Sequence, residues 1–207
     1  MKLYKININN FLIVFMLASF LSAEIGLSGG INYGGITYDE EISRHISITN
    51  GIGFNVNLEK SIGPTLVAIG YLQQNYTENF NSQDYENSTF KNSVTANYIT
   101  GHIIYPYEIW KFRFWGGIQF GKALNASMIK TENSIDTETN LESSDYNLDF
   151  GFLIGSDFMI TKVIGSRFSY YYGISKVLKE NVDLNIDSDD NFNIMNVGVN
   201  AQLLLRF

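Results

Sequence analysis

Residues 193–207 (NIMNVGVNAQLLLRF) alternate apolar and polar side chains almost without error and end on a phenylalanine. Met195, Val197, Val199, Ala201, Leu203, Leu205 and Phe207 share one face, while Asn196, Gly198, Asn200, Gln202 and Arg206 share the other. A strand repeats every two residues, so this is a β-strand with one apolar and one polar side. In a soluble sandwich so long a final strand would be an aggregation-prone edge. A closed barrel in lipid has no edge and needs an apolar exterior.

Composition narrows the alternatives. The chain has 207 residues, a formal net charge of -7, two prolines and 45% hydrophobic residues, which fits one folded domain and excludes a disordered composition. Mean hydropathy is near zero, and after residue 24 no apolar run approaches the roughly 18 to 20 residues of a spanning helix. Without cysteine there is no disulfide framework, thiolate metal site or lipid-anchored cysteine. Lys2 and Lys5 precede an apolar run at 11–21 (FLIVFMLASFL), and Ser22 and Ala23 then offer a small-residue cleavage site. This pattern predicts a cleaved secretory signal over 1–23 and a barrel domain over 24–207.

From Glu24 onward, alternating segments and connections repeat. Strands are expected at about 24–36, 46–59, 65–76, 93–105, 111–124, 146–157, 164–175 and 193–207. Ile48, Ile52, Phe54, Val56 and Leu58 form the apolar face of the second, and Phe112, Phe114, Ile118 and Phe120 that of the fifth. The third and fourth carry apolar residues on both faces, which leaves their orientation open. Connections at 60–64, 106–110 and 158–163 are short, whereas 37–45, 77–92, 125–145 and 178–192 are long and polar. Short turns at one rim and long loops at the other describe an all-β, eight-stranded, antiparallel up-and-down transmembrane barrel in the outer membrane of a Gram-negative-type envelope. Aromatics near strand ends, among them Tyr33, Tyr105, Tyr107, Trp110 and Phe207, match the girdles of such barrels.

With the apolar face outside, Glu24, Glu59, Arg113, Asp149, Asp157, Arg167 and Arg206 fall on the inner one. An eight-stranded barrel has room inside only for side chains, and unpaired charge there is expensive, so these residues are expected to form a paired interior network. A narrow porin for ions or small solutes is the competing reading, favoured if Arg113 and Arg167 do not pair with Asp149 and Asp157. No enzyme, cofactor or metal is expected. His45 and His102 are the only histidines and form no HExxH or HxxxH pattern, although His45 near Asp39, Glu40 or Asp84 could imitate an outer-rim catalytic site. Asp183, Asp187, Asp189 and Asp190 lack the glycine turn and closing glutamate of a calcium loop and read as a solvated acidic segment. Glu78, Asp84, Glu86, Glu132, Asp136, Glu138, Glu142 and Asp145 extend that acidity over the second and third long loops. Such a rim repels nucleic acid and can recruit divalent cations that bridge to lipopolysaccharide.

The glycine-rich first strand (GLSGGINYGG from Gly26), WGGIQFGKAL from Trp115, DFGFLIGSDF from Asp149 and the aromatic-ended last strand together resemble the PorT-like family of small, porin-like outer-membrane barrels. The resemblance spans the mature chain. It implies membrane lipid and lipopolysaccharide as surroundings and recognition by the barrel-assembly machinery through Leu203, Leu205 and Phe207. Gln202 stands where the family's terminal pattern often has glycine. It also implies an extracellular or secretion-system protein partner. The favoured reading is a membrane-anchored structural or interaction protein displaying four long acidic loops; an accessory secretion barrel and a soluble lipocalin-like binder are the remaining alternatives. The last would place the bulky apolar rows inside and the charges outside.

Overall fold

The computed structural model describes residues 24–38, 46–80, 90–179 and 194–207. The expected secretory signal and the segments 39–45, 81–89 and 180–193 lie outside the described residues. Nine strands follow in chain order: β1 (Ile25–Thr37), β2 (Ile46–Ile62), β3 (Thr65–Phe80), β4 (Phe90–Ile109), β5 (Phe112–Glu132), β6 (Ile135–Glu142), β7 (Leu148–Met159), β8 (Ile164–Gly173) and β9 (Met195–Arg206). Consecutive strands pair antiparallel except β6 and β7, both of which pair with β5, and β1 pairs with β9 across the closing seam. The ring has eight positions, because β6 and β7 take the same place beside β5 at different heights. Residues 112–122 of β5 pair with β7, and residues 125–132 pair with β6.

The outer surface is apolar. Ile31, Ile52, Phe54, Leu58, Ile69, Ile103, Phe114, Phe152, Phe168 and Leu203 are all exposed, whereas Asn32, Asn57, Glu59, Arg113, Asp157 and Arg167 are buried inside. This is the inverse of a soluble protein and the arrangement hydrocarbon requires of a spanning barrel. It also removes the lipocalin-like alternative, whose bulky apolar rows would face inward. The two unoriented strands now have faces. Leu66, Ala68, Gln74, Tyr76 and Glu78 of β3 point into the bore, as do Asn92, Val94, Ala96, Tyr98, Thr100, His102 and Ile104 of β4.

Two departures from simple alternation shape the end of the bore near the long connections. On β2, Asn50 faces Tyr76 but Asn55 faces Leu72, so β2 carries one extra residue between them. On β5, Asn125 faces Asn97 and Ala123 faces Tyr98, leaving Leu124 as the extra residue. A bulge reverses which side chains face inward. Below the β5 bulge the odd residues Arg113, Trp115, Gln119 and Ala123 are buried; above it, Ala126 and Met128 are. Ile48, expected outside with Ile52 and Leu58, instead packs against the interior apolar cluster.

The third long connection also differs from expectation. Residues 125–145 are mostly strand: β5 continues to Glu132, turns through Asn133 and Ser134 with φ of 51° and 65°, and returns as β6. Positive φ at both central residues defines the tight hairpin turn that matches strand twist. A 3-10 turn at Ser143–Asp145 then leads into β7. The hairpin stands above the β5–β7 pairing, and β6 is exposed along nearly its whole length.

Candidate functional site: a bore closed at both ends

Near the short turns, cross-strand pairing aligns Arg113 of β5 with Asp157 of β7, and Asp157 with Arg167 of β8. Asp157 is therefore flanked by guanidinium groups on both sides. Arg113 Nε donates to Asp157 Oδ2 at 2.8 Å and Arg113 Nη2 also reaches that oxygen. Arg167 Nε donates to Asp157 Oδ1 at 2.8 Å and its Nη2 to Oδ2 at 3.0 Å. Trp115 Nε1 adds a bond to Oδ1 at 2.9 Å. Across the bore, Arg167 binds Glu59 through two bonds, at 2.7 and 3.1 Å. That paired fork geometry suits guanidinium and carboxylate. The Arg167 guanidinium also lies 5.3 Å from the Trp115 ring centre.

Arg206 completes the layer, 3.7 Å from Asp157 and 3.6 Å from Glu108 at the rim. Three arginines thus meet three carboxylates. Gly26 gives Glu59 its path, since a Cβ there would lie 2.5 Å from Glu59 Cγ. Asp157 is 0% exposed and Arg167 2%. Buried so deeply, neither charge is tolerable without its partners.

The next layer is made of amides and hydroxyls. Asn32 donates to Asn200 at 2.9 Å, Gln202 to Asn55 at 2.6 Å, and Asn200 to Ser169 at 3.2 Å; Asn55 also reaches Asn200. They border a cavity of about 30 Å3, also lined by His102 and Tyr171, room for a water or two at most. His102 is buried there. His45 lies outside the described residues, as do Asp183, Asp187, Asp189 and Asp190.

The far end is closed by apolar contact. Ile36, Tyr38, Ile46, Tyr76, Val94, Met128 and Ile194 form one buried cluster. A second, of Ala96, Tyr98, Ala123, Ala126, Tyr146 and Val177, fills the adjoining wall. Within the first, Tyr38 donates to Glu78 Oε1 at 2.5 Å and Asn92 to Glu78 Oε2 at 3.3 Å. Tyr38 lies just past β1, where burial and the Glu78 carboxylate push its phenol above the usual range and keep it a donor.

Of the seven inner-face residues expected from sequence, Glu59, Arg113, Asp157, Arg167 and Arg206 converge in one layer. Asp149 is buried elsewhere, accepting from Asn196 at 3.0 Å. Glu24 lies exposed at the start of the barrel, where its carbonyl receives the Ser61 amide, and takes no part in the network. Glu78, expected among loop acids, lies on β3 and points inward; its even-numbered parity with Gln74 and Tyr76 was the available signal. Trp115 alternates with the apolar Phe112 and Phe114 and so shares the face of Arg113, but alternation alone does not show its bond to Asp157. Of the terminal trio, Leu203 and Phe207 are exposed on the outer face and Leu205 is half-buried. The seam extends to Phe207, whose amide donates to the Ile25 carbonyl at 2.8 Å.

A family model described as outer membrane protein beta-barrel domain matches residues 17–179. No curated protein matches the sequence. Among solved structures, the chain is similar to Ail, the attachment invasion locus protein of Yersinia pestis, at 13% identity and a TM-score of 0.53, covering 89% of this chain and 99% of that one. It is similar to Neisserial surface protein A at 13% identity and a TM-score of 0.51, covering 88% and 97%. Ail in complex with the heparin analogue sucrose octasulfate gives 14% identity, a TM-score of 0.50 and coverage of 89% and 99%. At such identities the likeness is one of fold.

Proposed function

Because this chain belongs to the outer membrane protein beta-barrel domain family and resides in the outer membrane, we propose that it is a membrane-anchored interaction protein, without catalytic activity, in a Gram-negative-type envelope. The barrel anchors it, and the β5–β6 hairpin with the neighbouring connections presents the working surface. The observation that carries this reading is the contrast between a bore filled at both ends and a hairpin that stands clear of it. Arg113 and Arg167 pair with Asp157 and Glu59, which argues against the porin alternative. Planar-bilayer recording of the folded protein is expected to show no discrete conductance steps; ion-selective steps from a heat-modifiable, folded sample would replace this reading with a narrow porin.

The nature of the partner follows from charge. Glu132, Asp136, Glu138 and Glu142 lie on the hairpin, and Asp183, Asp187, Asp189 and Asp190 on the last long connection. One solved structure of Ail holds a sulfated heparin analogue. An acid-rich rim repels such a ligand and attracts a basic one, with an association that weakens as salt rises. Barrels in lipid nanodiscs are expected to bind an immobilised polylysine surface and not a heparin surface. The PorT-like affiliation rests on the glycine-rich first strand, the segments from Trp115 and Asp149 and the aromatic-ended last strand together, and would make the partner a secretion-system component, which copurification from membranes tests. Recognition of Leu203, Leu205 and Phe207 by the barrel-assembly machinery is tested by the yield of folded protein after Phe207→Ser.

A further inference from the structure

The lipid-facing wall is not uniform. Between Ile69 of β3 and Phe120 of β5, directly opposite each other across β4, the intervening residue is Gly101. The missing side chain leaves an open groove of about 340 Å3, whose outward walls are Ile69, Ile99, Phe120 and Leu148. Backbone geometry does not require glycine here. A Cβ at Gly101 would meet its nearest neighbour, the Ala68 carbonyl, at 3.7 Å, an ordinary contact. Gly117 and Gly151 differ, since a side chain there would run into the adjacent backbone.

Lys122 stands at the end of the groove nearer the long connections. It pairs with Ile99 and Leu148 in the sheet, and its ammonium donates to the carbonyls of Ser143 at 2.8 Å and Tyr146 at 2.7 Å. An ammonium has three hydrogens, and two carbonyls use two of them. Among the described residues no acceptor takes the third. Asp145, on the same turn, directs its carboxylate to the Glu142 amide at 2.8 Å. Gly101 lies four residues from Asn97, where the polar belt of Asn97 and Asn125 begins, and four from Tyr105 in the opposite girdle. At about 3.3 Å per residue Gly101 sits midway in the apolar band, and the groove runs from there toward the Ile99–Lys122 pair on the side of the outer interface, the depth of one leaflet.

We propose that this groove holds one acyl chain of a phosphorylated outer-leaflet lipid, seated over Gly101 with its phosphate on Lys122. The proposal is independent of what the hairpin binds, so either can fail alone. The test uses full-chain protein matured in the outer membrane, extracted in mild detergent, delipidated and titrated in native mass spectrometry. The probes are bisphosphorylated lipid A and its dephosphorylated form with identical acyl chains. A saturable one-to-one adduct that prefers the phosphorylated probe is expected. Gly101→Leu, which keeps the heat-modifiable fold, is expected to weaken it about tenfold by filling the groove with apolar atoms. Lys122→Met is expected to abolish the preference for phosphate, and Lys122→Arg to retain it. Multiple unsaturable adducts, equal for both probes and unchanged by Gly101→Leu, would mean an ordinary lipid annulus and overturn the proposal. A dimer of barrels lost in Gly101→Leu would overturn it too, making the groove a contact between copies.

Discussion

The two ends of the bore are closed by opposite means. At the short-turn end, three arginines and three carboxylates meet in a layer organised around Asp157. At the long-connection end, Ile36, Ile46, Tyr76, Val94 and Met128 pack with little polar content beyond the Tyr38–Glu78–Asn92 cluster. The first closure needs strict strand register, because Arg113, Asp157 and Arg167 at its centre are direct cross-strand neighbours. The second forms where two bulges turn Ile46 and Met128 inward to meet Ile36, Tyr76 and Val94, which regular alternation already points into the bore. Ion pairing and apolar packing thus solve one steric problem, but they differ in how a single substitution injures them.

The largest difference is expected at Asp157. Asp157→Ala strands Arg113, Arg167 and the Trp115 N–H in a buried layer and should cost about 3 to 5 kcal/mol. It is checked by the midpoint of urea unfolding from lipid vesicles, followed by tryptophan fluorescence. At the apolar end, Met128→Ala removes packing from a site that can partly collapse, with an expected loss of about 2 to 4 kcal/mol in the same assay. A larger loss for Met128→Ala than for Asp157→Ala would dissolve the contrast. Glu78→Gln keeps an acceptor for Tyr38 and should cost only about 1 kcal/mol, showing that the polar cluster there is secondary to packing. Glu24→Gln, outside both closures, should shift the midpoint by less than the equivalent of about 0.5 kcal/mol. A larger shift would place Glu24 in the ionic layer after all.

Much of the lower barrel was legible in the sequence, because period-two alternation encodes facing directly wherever the register is regular. That is why Glu59, Arg113, Asp157, Arg167 and Arg206 could be assigned to one interior before their contacts were known. Asp149 shares their face but not their height, which a facing argument cannot separate. The upper barrel was less legible for a physical reason. A one-residue bulge exchanges inside for outside, so Ile48 was carried to the wrong face by extending the parity of Phe54 and Leu58 through Asn50. Likewise, exposed strand extending above the membrane uses polar residues on both faces. The β5–β6 hairpin therefore has the composition of a loop. Strands β3 and β4 resisted orientation because their inner faces include Leu66, Val94, Tyr98 and Ile104, so hydropathy could not tell the two sides apart.

The seam between β1 and β9 has a kinetic consequence. Gly26 and Arg206 are direct partners, so the bonds that abolish the last open edge join opposite ends of the domain. Contacts of such long sequence separation form slowly, since the whole intervening chain must be ordered before they reward the entropy lost. Until then, β1 exposes an unpaired edge rich in glycine. Hairpins can pair in succession from β1 onward, but the ring closes only when β9 arrives, and until then its half-made forms must be kept apart.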